Sequence, residues 1–337
     1  MMRTTLISVC LTLTLGGVGE ATPHPDAPAC PIFPTNSVWH ADIRGLPLHP
    51  RSNDWIASMG GPGRRLHPDF GPSDGAQPYG IPYEVVEGSH PKVSVAFDYE
   101  DESDPGPYPF DASTPIEGGS DRHALMLDRD ACVLYELYAA DHNGGEPVAG
   151  SGAVWNLRSN ALRPATWTSA DAAGLPIFAG LIRRDEVESG RIDHAIRVTA
   201  SRTDRRFVWP ARHQAGHASD PALPPMGARF RLKESFDLGS FLPETRVVLR
   251  AMQVHGLIVA DNGSDWYFGG ASEHGWTDEV LDELKSVPAG AFQAVDGSAL
   301  MVSAHSGEAR VRRGATVSAF LRPKRIEPGD RARLRGR

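Results

Sequence analysis

The stretch Asp121–Tyr138, DRHALMLDRDACVLYELY, decides how the chain is read. Apolar residues alternate on either side of a polar centre, which is the pattern of a β-hairpin. With Arg129 and Asp130 as a two-residue turn, Asp128 pairs with Ala131. Counting outward, Leu127 faces Cys132, Leu125 faces Leu134, His123 faces Glu136 and Asp121 faces Tyr138. Side chains alternate along a strand, so all eight share one sheet face. That face is apolar near the turn and polar at the open end. A His beside a Glu, flanked by Asp and Tyr, can act as an acid–base cluster or serve as an ion pair at a sheet rim.

Outward from the hairpin, the pattern stays short and punctuated. The 337 residues include 35 Gly and 28 Pro, which favours short strands and many turns. Strands are expected at KVSVAFDY, GAVWNLR, HAIRVTA, RRFVWP, ARFRLK and LIVAD. SNDWIASMG reads as a short helix. PETRVVLRAMQVHG reads as a helix from Pro243 to Gly256, and WTDEVLDELKSV as one capped by Thr277, with Trp276 stapled to Leu281. The order predicts a mainly β fold, a β-sandwich or jelly-roll body decorated by a few helices near the C-terminus. An α+β domain with a separate antiparallel sheet is the alternative.

The start of the chain reads as a secretory signal over residues 1–21. It has Arg3, an apolar run, and small residues before a cut after Ala21. A single β-rich domain over 22–297 follows, with a basic, unstructured tail over 298–337. A secreted or periplasmic protein meets an oxidising compartment. The two cysteines left after cleavage, Cys30 and Cys132, then predict one disulfide. The tail holds ten Lys/Arg against three Asp/Glu, whereas the whole chain is −8, so the body is strongly acidic. That excludes nucleic acid as a main partner, and no second stretch is long and apolar enough to span a membrane.

Further candidates lie along the chain. His194, in GRIDHAIRVTA, joined to His123 and Glu136 would give a two-His, one-carboxylate metal set of cupin type. The acidic run from Asp98 to Asp104 offers hard oxygens to calcium, without EF-hand spacing, so no metal is required. His213 and His217 are four apart, but Pro210 and Gly216 argue for a loop. ARFRLK sets Arg229, Arg231 and Lys233 on one strand face, able to hold a polyanionic chain or to protect a sheet edge. ADNGSDWYFGG places Asp261 and Asp265 beside Trp266, a combination suited to sugar rings. HExxH, GxSxG, P-loop and GxGxxG signatures are absent.

Several phrases in order, among them CPIFPTNSVW, LPLHPRSNDWIASMG, FDYEDESDPGPYP, TSADAAGLPIFAGLIRRDEV, WPARH and IVADNGSDWYF, resemble a secreted bacterial family of hypothetical proteins with no established activity. The resemblance covers roughly residues 30 to 297. It implies one domain unit and no particular chemistry, and it singles out Ser169, Asp171 and Glu186. Together these readings predict a secreted carbohydrate-active enzyme acting on a polysaccharide. Glu136 with Asp171 or Asp121 would serve a glycoside hydrolase. His123 with Tyr138, aided by Arg229 or Arg231, would serve a polysaccharide lyase. A sugar-binding or envelope protein without catalysis needs only the aromatic platform.

Overall fold

The computed structural model describes residues 22–72 and 78–310, so the expected signal and residues 311–337 of the expected tail lie outside the described residues. The hairpin is present, with a different turn. Asp130 N and Ala131 N donate to the Asp128 carboxylate at 3.1 and 2.9 Å, which locks a four-residue loop, Arg129–Cys132. Pairing therefore begins at Asp128↔Val133 and places Glu136 opposite Leu125, not His123. The shift is two residues, one full side-chain period, so the faces are as expected while the partners change. His123 instead has Tyr138 as its ring neighbour, at 5.9 Å.

Thirteen strands fall into three sheets among the described residues. The chain runs through β1 (His67–Asp69), β2 (Tyr83–Val86), β3 (Ala96–Phe97), β4 (Ala124–Asp128), β5 (Val133–Tyr138), β6 (Asp141–Asn143), β7 (Glu146–Ala149) and β8 (Ser151–Asn156). It continues through β9 (Ile196–Ala200), β10 (Arg229–Leu232), β11 (Leu257–Asn262), β12 (Tyr267–Gly269) and β13 (Phe292–Val295). One sheet has the order β1-β12-β9-β11-β10-β13, the second β2-β4-β5-β8 and the third β3-β7-β6. The body is mainly β, as expected. Its sheets are mixed, since β9 and β11, β1 and β12, and β2 and β4 pair in parallel.

Among the described residues four α-helices complete the fold: α1 (Ser52–Ser58), α2 (Arg184–Ser189), α3 (Pro243–Val254) and α4 (Asp278–Ser286). In α3, Thr245, Val248, Leu249 and Met252 form the buried stripe that its spacing predicts. Gly256 follows it with φ +74°; a Cβ there would lie 2.3 Å from Phe230 O, so only glycine permits this approach to β10. In α4, Thr277 Oγ1 accepts from Val280 N, and Trp276 packs on Phe70. RRFVWP is not a strand and makes only an isolated bridge from Phe207 to Met226. Helix α2, which carries no apolar periodicity, went unforeseen. It starts where Glu186 accepts from Arg183 N.

The second sheet separates two apolar clusters. Leu125, Leu127, Leu134 and Trp155 face the main core, while Ala124, Met126, Tyr135 and Leu137 pack with Tyr108 and Phe110. The Cys30–Cys132 disulfide ties the N-terminal segment to the hairpin turn. Closing a loop this long contributes ~4–5 kcal/mol in the chain-entropy model. The folded body runs past the boundary expected at Gly297. Leu300 and Ala309 are buried, Ala309 N donates to Asn36 O, and Val38 N donates to Gly307 O. Truncation after Gly297 should therefore lower the thermal midpoint by several degrees, since removing Leu300 alone costs ~2–5 kcal/mol. Calorimetry that finds the midpoint unchanged would show these residues to be dispensable.

Candidate functional site

The segment from Trp167 to Arg183 has almost no regular structure, yet it runs buried between the two larger sheets. A buried irregular backbone needs partners for its N–H and C=O groups. Remote side chains and strand ends supply them. Glu136 accepts from Ile177 N at 3.1 Å, Phe178 N at 2.9 Å and Trp155 Nε1 at 3.0 Å. Ser151 Oγ donates to Ser169 O, Ala173 N to Ala260 O, and Ile182 N to Gly269 O. Gly174 takes φ +66°, where a Cβ would sit 2.4 Å from Trp167 O. At the centre, Arg197 of β9 grips Asp171 with two hydrogen bonds of 2.9 and 2.6 Å, and both side chains are buried. This geometry suits a guanidinium and a carboxylate that have left water.

In front of this pair opens a cleft of about 420 Å³. Stretches from across the chain line it, among them Ser151 of β8 and the connector at Thr168–Ala172. Asp121 and Tyr138 come from the open end of the β4–β5 hairpin, Asp261 from the end of β11, Glu102 and Tyr99 from the acidic turn, and His213 from the loop after Pro210. Arg197 Nη2 lies 3.6 Å from Asp261 Oδ2. Burial, and then the charge of Asp171, push the Asp261 carboxyl up to about 7, against the pull of Arg197 and His123. Burial and the nearby Asp121 also raise the Tyr138 hydroxyl. Glu102 Oε2 accepts from Thr168 N at 2.9 Å. His213 Nδ1 donates to Ala172 O at 2.8 Å, and its Nε2 stands 3.9 Å from Glu102 Oε2.

The structure thus brings Asp121, Tyr138 and Asp261 to one cleft, with Asp171 directly behind. It does not assemble the other candidates. Glu136 is wholly buried with its N–H donors, which removes it from any solvent-facing site. Burial pushes its carboxyl up to about 7. His123 is buried behind the cleft, with Glu117 Oε2 at 2.5 Å from Nδ1 and Ala170 O at 3.1 Å from Nε2. Ala170 O accepts from Nε2, and the Glu117 carboxylate facing Nδ1 favours the charged ring. Burial opposes that charge, but Glu117 outweighs it and raises the pKa. His194 faces Glu186 and Ala195 O in another part of the core. The proposed set of His123, Glu136 and His194 is therefore scattered, and among the described residues no group of three or more His, Cys, Asp or Glu could hold a metal.

The substrate-binding cations and platform are corrected likewise. Strand β10 lies between β11 and β13, so it is no edge. Arg229 donates to His255 O and Val38 O, and Arg231 to Ile43 O and Leu46 O; both are buried under backbone carbonyls. Trp266 is fully buried, its Nε1 donating to Met59 O, and offers no face to a sugar. Asp265 accepts from Ser201 N in a surface turn and does not line the cleft. Sequence reasoning undervalued Glu102, His213 and Arg197. WPARH carried the available signal for His213, a polar pair straight after a proline loop.

Comparisons with protein-family models, curated proteins and solved structures find no match. The site must be read from its own chemistry.

Two predictions follow from these environments. In Glu136→Gln, the new NH₂ would face N–H donors, so stability should fall by ~1–3 kcal/mol in chemical denaturation. Unchanged stability would show that those N–H groups need no carboxylate. Asp261 predicts a pH effect. Its folded pKa, about 7, lies above the ordinary 3.8, so the folded state keeps a proton that the unfolded chain has released. That contribution is full below about 4 and is lost as pH rises towards 7. Buried histidines such as His24 and His255, held neutral, slope the opposite way, so the readout is a difference. Wild-type stability minus that of Asp261→Asn should fall across this window. A flat or rising difference would contradict the placement of Asp261.

Proposed function

We propose that the cleft hydrolyses a glycosidic bond in an extracellular oligosaccharide or polysaccharide. The observation that carries this reading is the convergence of Asp121, Asp261 and Glu102 with the rings of Tyr99 and Tyr138 around one open space. Aromatic faces suit the apolar side of a sugar, and carboxylates suit its hydroxyls and the chemistry at the anomeric carbon. Asp261, held at about 7 by burial and Asp171, is a carboxylic acid still able to give up a proton near neutrality. It is the general acid, and the bidentate Arg197–Asp171 pair positions it. Asp121 and Glu102 remain to orient the sugar or to act opposite the acid.

Elimination is less well supported. A lyase acting on uronates needs a cation against the substrate carboxylate, and among the described residues no Lys or Arg lines the cleft. Neutral or amino sugars fit its acidic wall better. The disulfide, and the absence of any helix among the described residues that could cross a membrane, support a secreted or periplasmic setting.

The test is a panel of neutral, amino and uronic oligosaccharides with product analysis. Hydrolysis of a neutral or amino sugar is expected, and Asp261→Asn should reduce turnover ~100-fold or more with the fold intact. Products bearing an unsaturated uronate, or tight binding without turnover that Asp261→Asn leaves unchanged, would replace this reading with elimination or with a sugar-binding protein.

A further inference from the structure

We infer that His213 is the base of this cleft, acting opposite Asp261 on a water molecule. The inference rests on the hydrolase reading above and extends it to a residue outside the paired-carboxylate scheme. Three observations carry it.

First, the tautomer is set. Ala172 O can only accept, so His213 Nδ1 carries the proton whenever the ring is neutral. Nε2 is then the lone-pair nitrogen, on a ring that lines the cleft. This arrangement separates His213 from His123 and His194, whose ring nitrogens both face acceptors inside the core.

Second, Glu102 stands beside that nitrogen. Its Oε2 is 3.9 Å from Nε2, too far for a direct hydrogen bond, and one water can touch both groups. Thr168 N holds this carboxylate in place. So placed, the carboxylate can orient a shared water against the Nε2 lone pair.

Third, one short stretch of chain registers both reacting groups. Arg212 N and His213 N donate to Ala173 O, and Ala173 N donates to Ala260 O, one residue before Asp261. Arg212 is anchored further by its guanidinium, on Arg163 O and Ala304 O. Asp171, fixed by Arg197, begins the stretch. The base and the acid therefore hang from Asp171-Ala172-Ala173, a geometry set by the fold before substrate arrives.

The step balances as follows. His213 Nε2 takes a proton from water, and the water oxygen forms the new bond to the anomeric carbon. The bond from that carbon to the leaving oxygen breaks, and Asp261 gives its proton to that oxygen. The site is left with an imidazolium and a carboxylate, and solvent returns the proton.

Nitrogen-15 NMR of the full chain tests the tautomer without any substrate, with His213→Asn identifying the signal. Neutral His213 should carry its proton on Nδ1, the minority form in water. A proton on Nε2 would overturn the inference. His213→Asn also keeps an N–H where Nδ1–H stood, so its thermal midpoint should match wild type. On an oligosaccharide that wild type hydrolyses, its turnover should fall ~100-fold or more. If Asp261→Asn loses turnover and His213→Asn does not, the hydrolase reading stands and His213 is not its base. If no oligosaccharide is hydrolysed, that reading fails, and p-nitrophenyl acetate reports on His213 alone. Wild type should then hydrolyse this ester faster than His213→Asn, and equal rates would sink the inference.

Discussion

Arg197 has left water at the centre of the largest sheet, and Asp171 compensates its charge with two hydrogen bonds. This one ion pair joins a central strand of the largest sheet to an irregular segment that has no sheet of its own. Breaking it by removing one partner would leave a buried, uncompensated charge, which typically costs 3–5 kcal/mol. The packing around it is arranged to prevent that. Asp171 is flanked by Ser169, whose hydroxyl meets the carbonyls of Asp171 and Leu175, and by Ala173, whose amide bonds to Ala260. Glu136 does the same work from the second sheet, at Ile177 and Phe178. The two sheets are thus held apart and aligned by side chains reaching a shared connector.

The cleft is a consequence of that arrangement. The paired ends of β5 and β8, at Tyr138 and Ser151, and the end of β11 line it, and the acidic turn and the Pro210 loop add Glu102 and His213. Asp261 is placed close to a buried negative charge and a buried positive one. Burial raises its carboxyl most, and the Asp171–Arg197 pair then acts on it in opposite senses. Asp171 thus bears both on the packing of the fold and on the environment of Asp261, and a variant at this position would disturb both at once.

Particular residues show how much of this was legible in the sequence. Alternation gave the faces of the hairpin correctly, because a two-residue slip preserves them. It could not give the register, because the turn is set by the Asp128 side chain bonding back to Asp130 N and Ala131 N. Helices α3 and α4 were visible from apolar spacing and caps, and the disulfide from an even count in an expected oxidising setting. The connector was invisible as structure, since its backbone bonds run to residues far away in sequence and leave no period. Arg229 and Arg231 were misread for a related reason: a charged strand face looks solvated unless the carbonyls that will cover it are known. Of the site, Asp121 and Tyr138 were named from the alternation of the hairpin, and Asp261 from the composition of its local stretch. Glu102 and His213 join them only in three dimensions.

The central claim is that the irregular segment from Ser169 to Ile182 belongs to the core and organises both sheets. Native-state hydrogen exchange at Ala173, Ile177, Phe178 and Ile182 tests it most directly. The account expects these amides to exchange only on global unfolding, with the same free energy as the centre of β9 and β11. Exchange at loop-like rates while the strands stay protected would contradict it, and would make the segment a passive connection between sheets that stand without it.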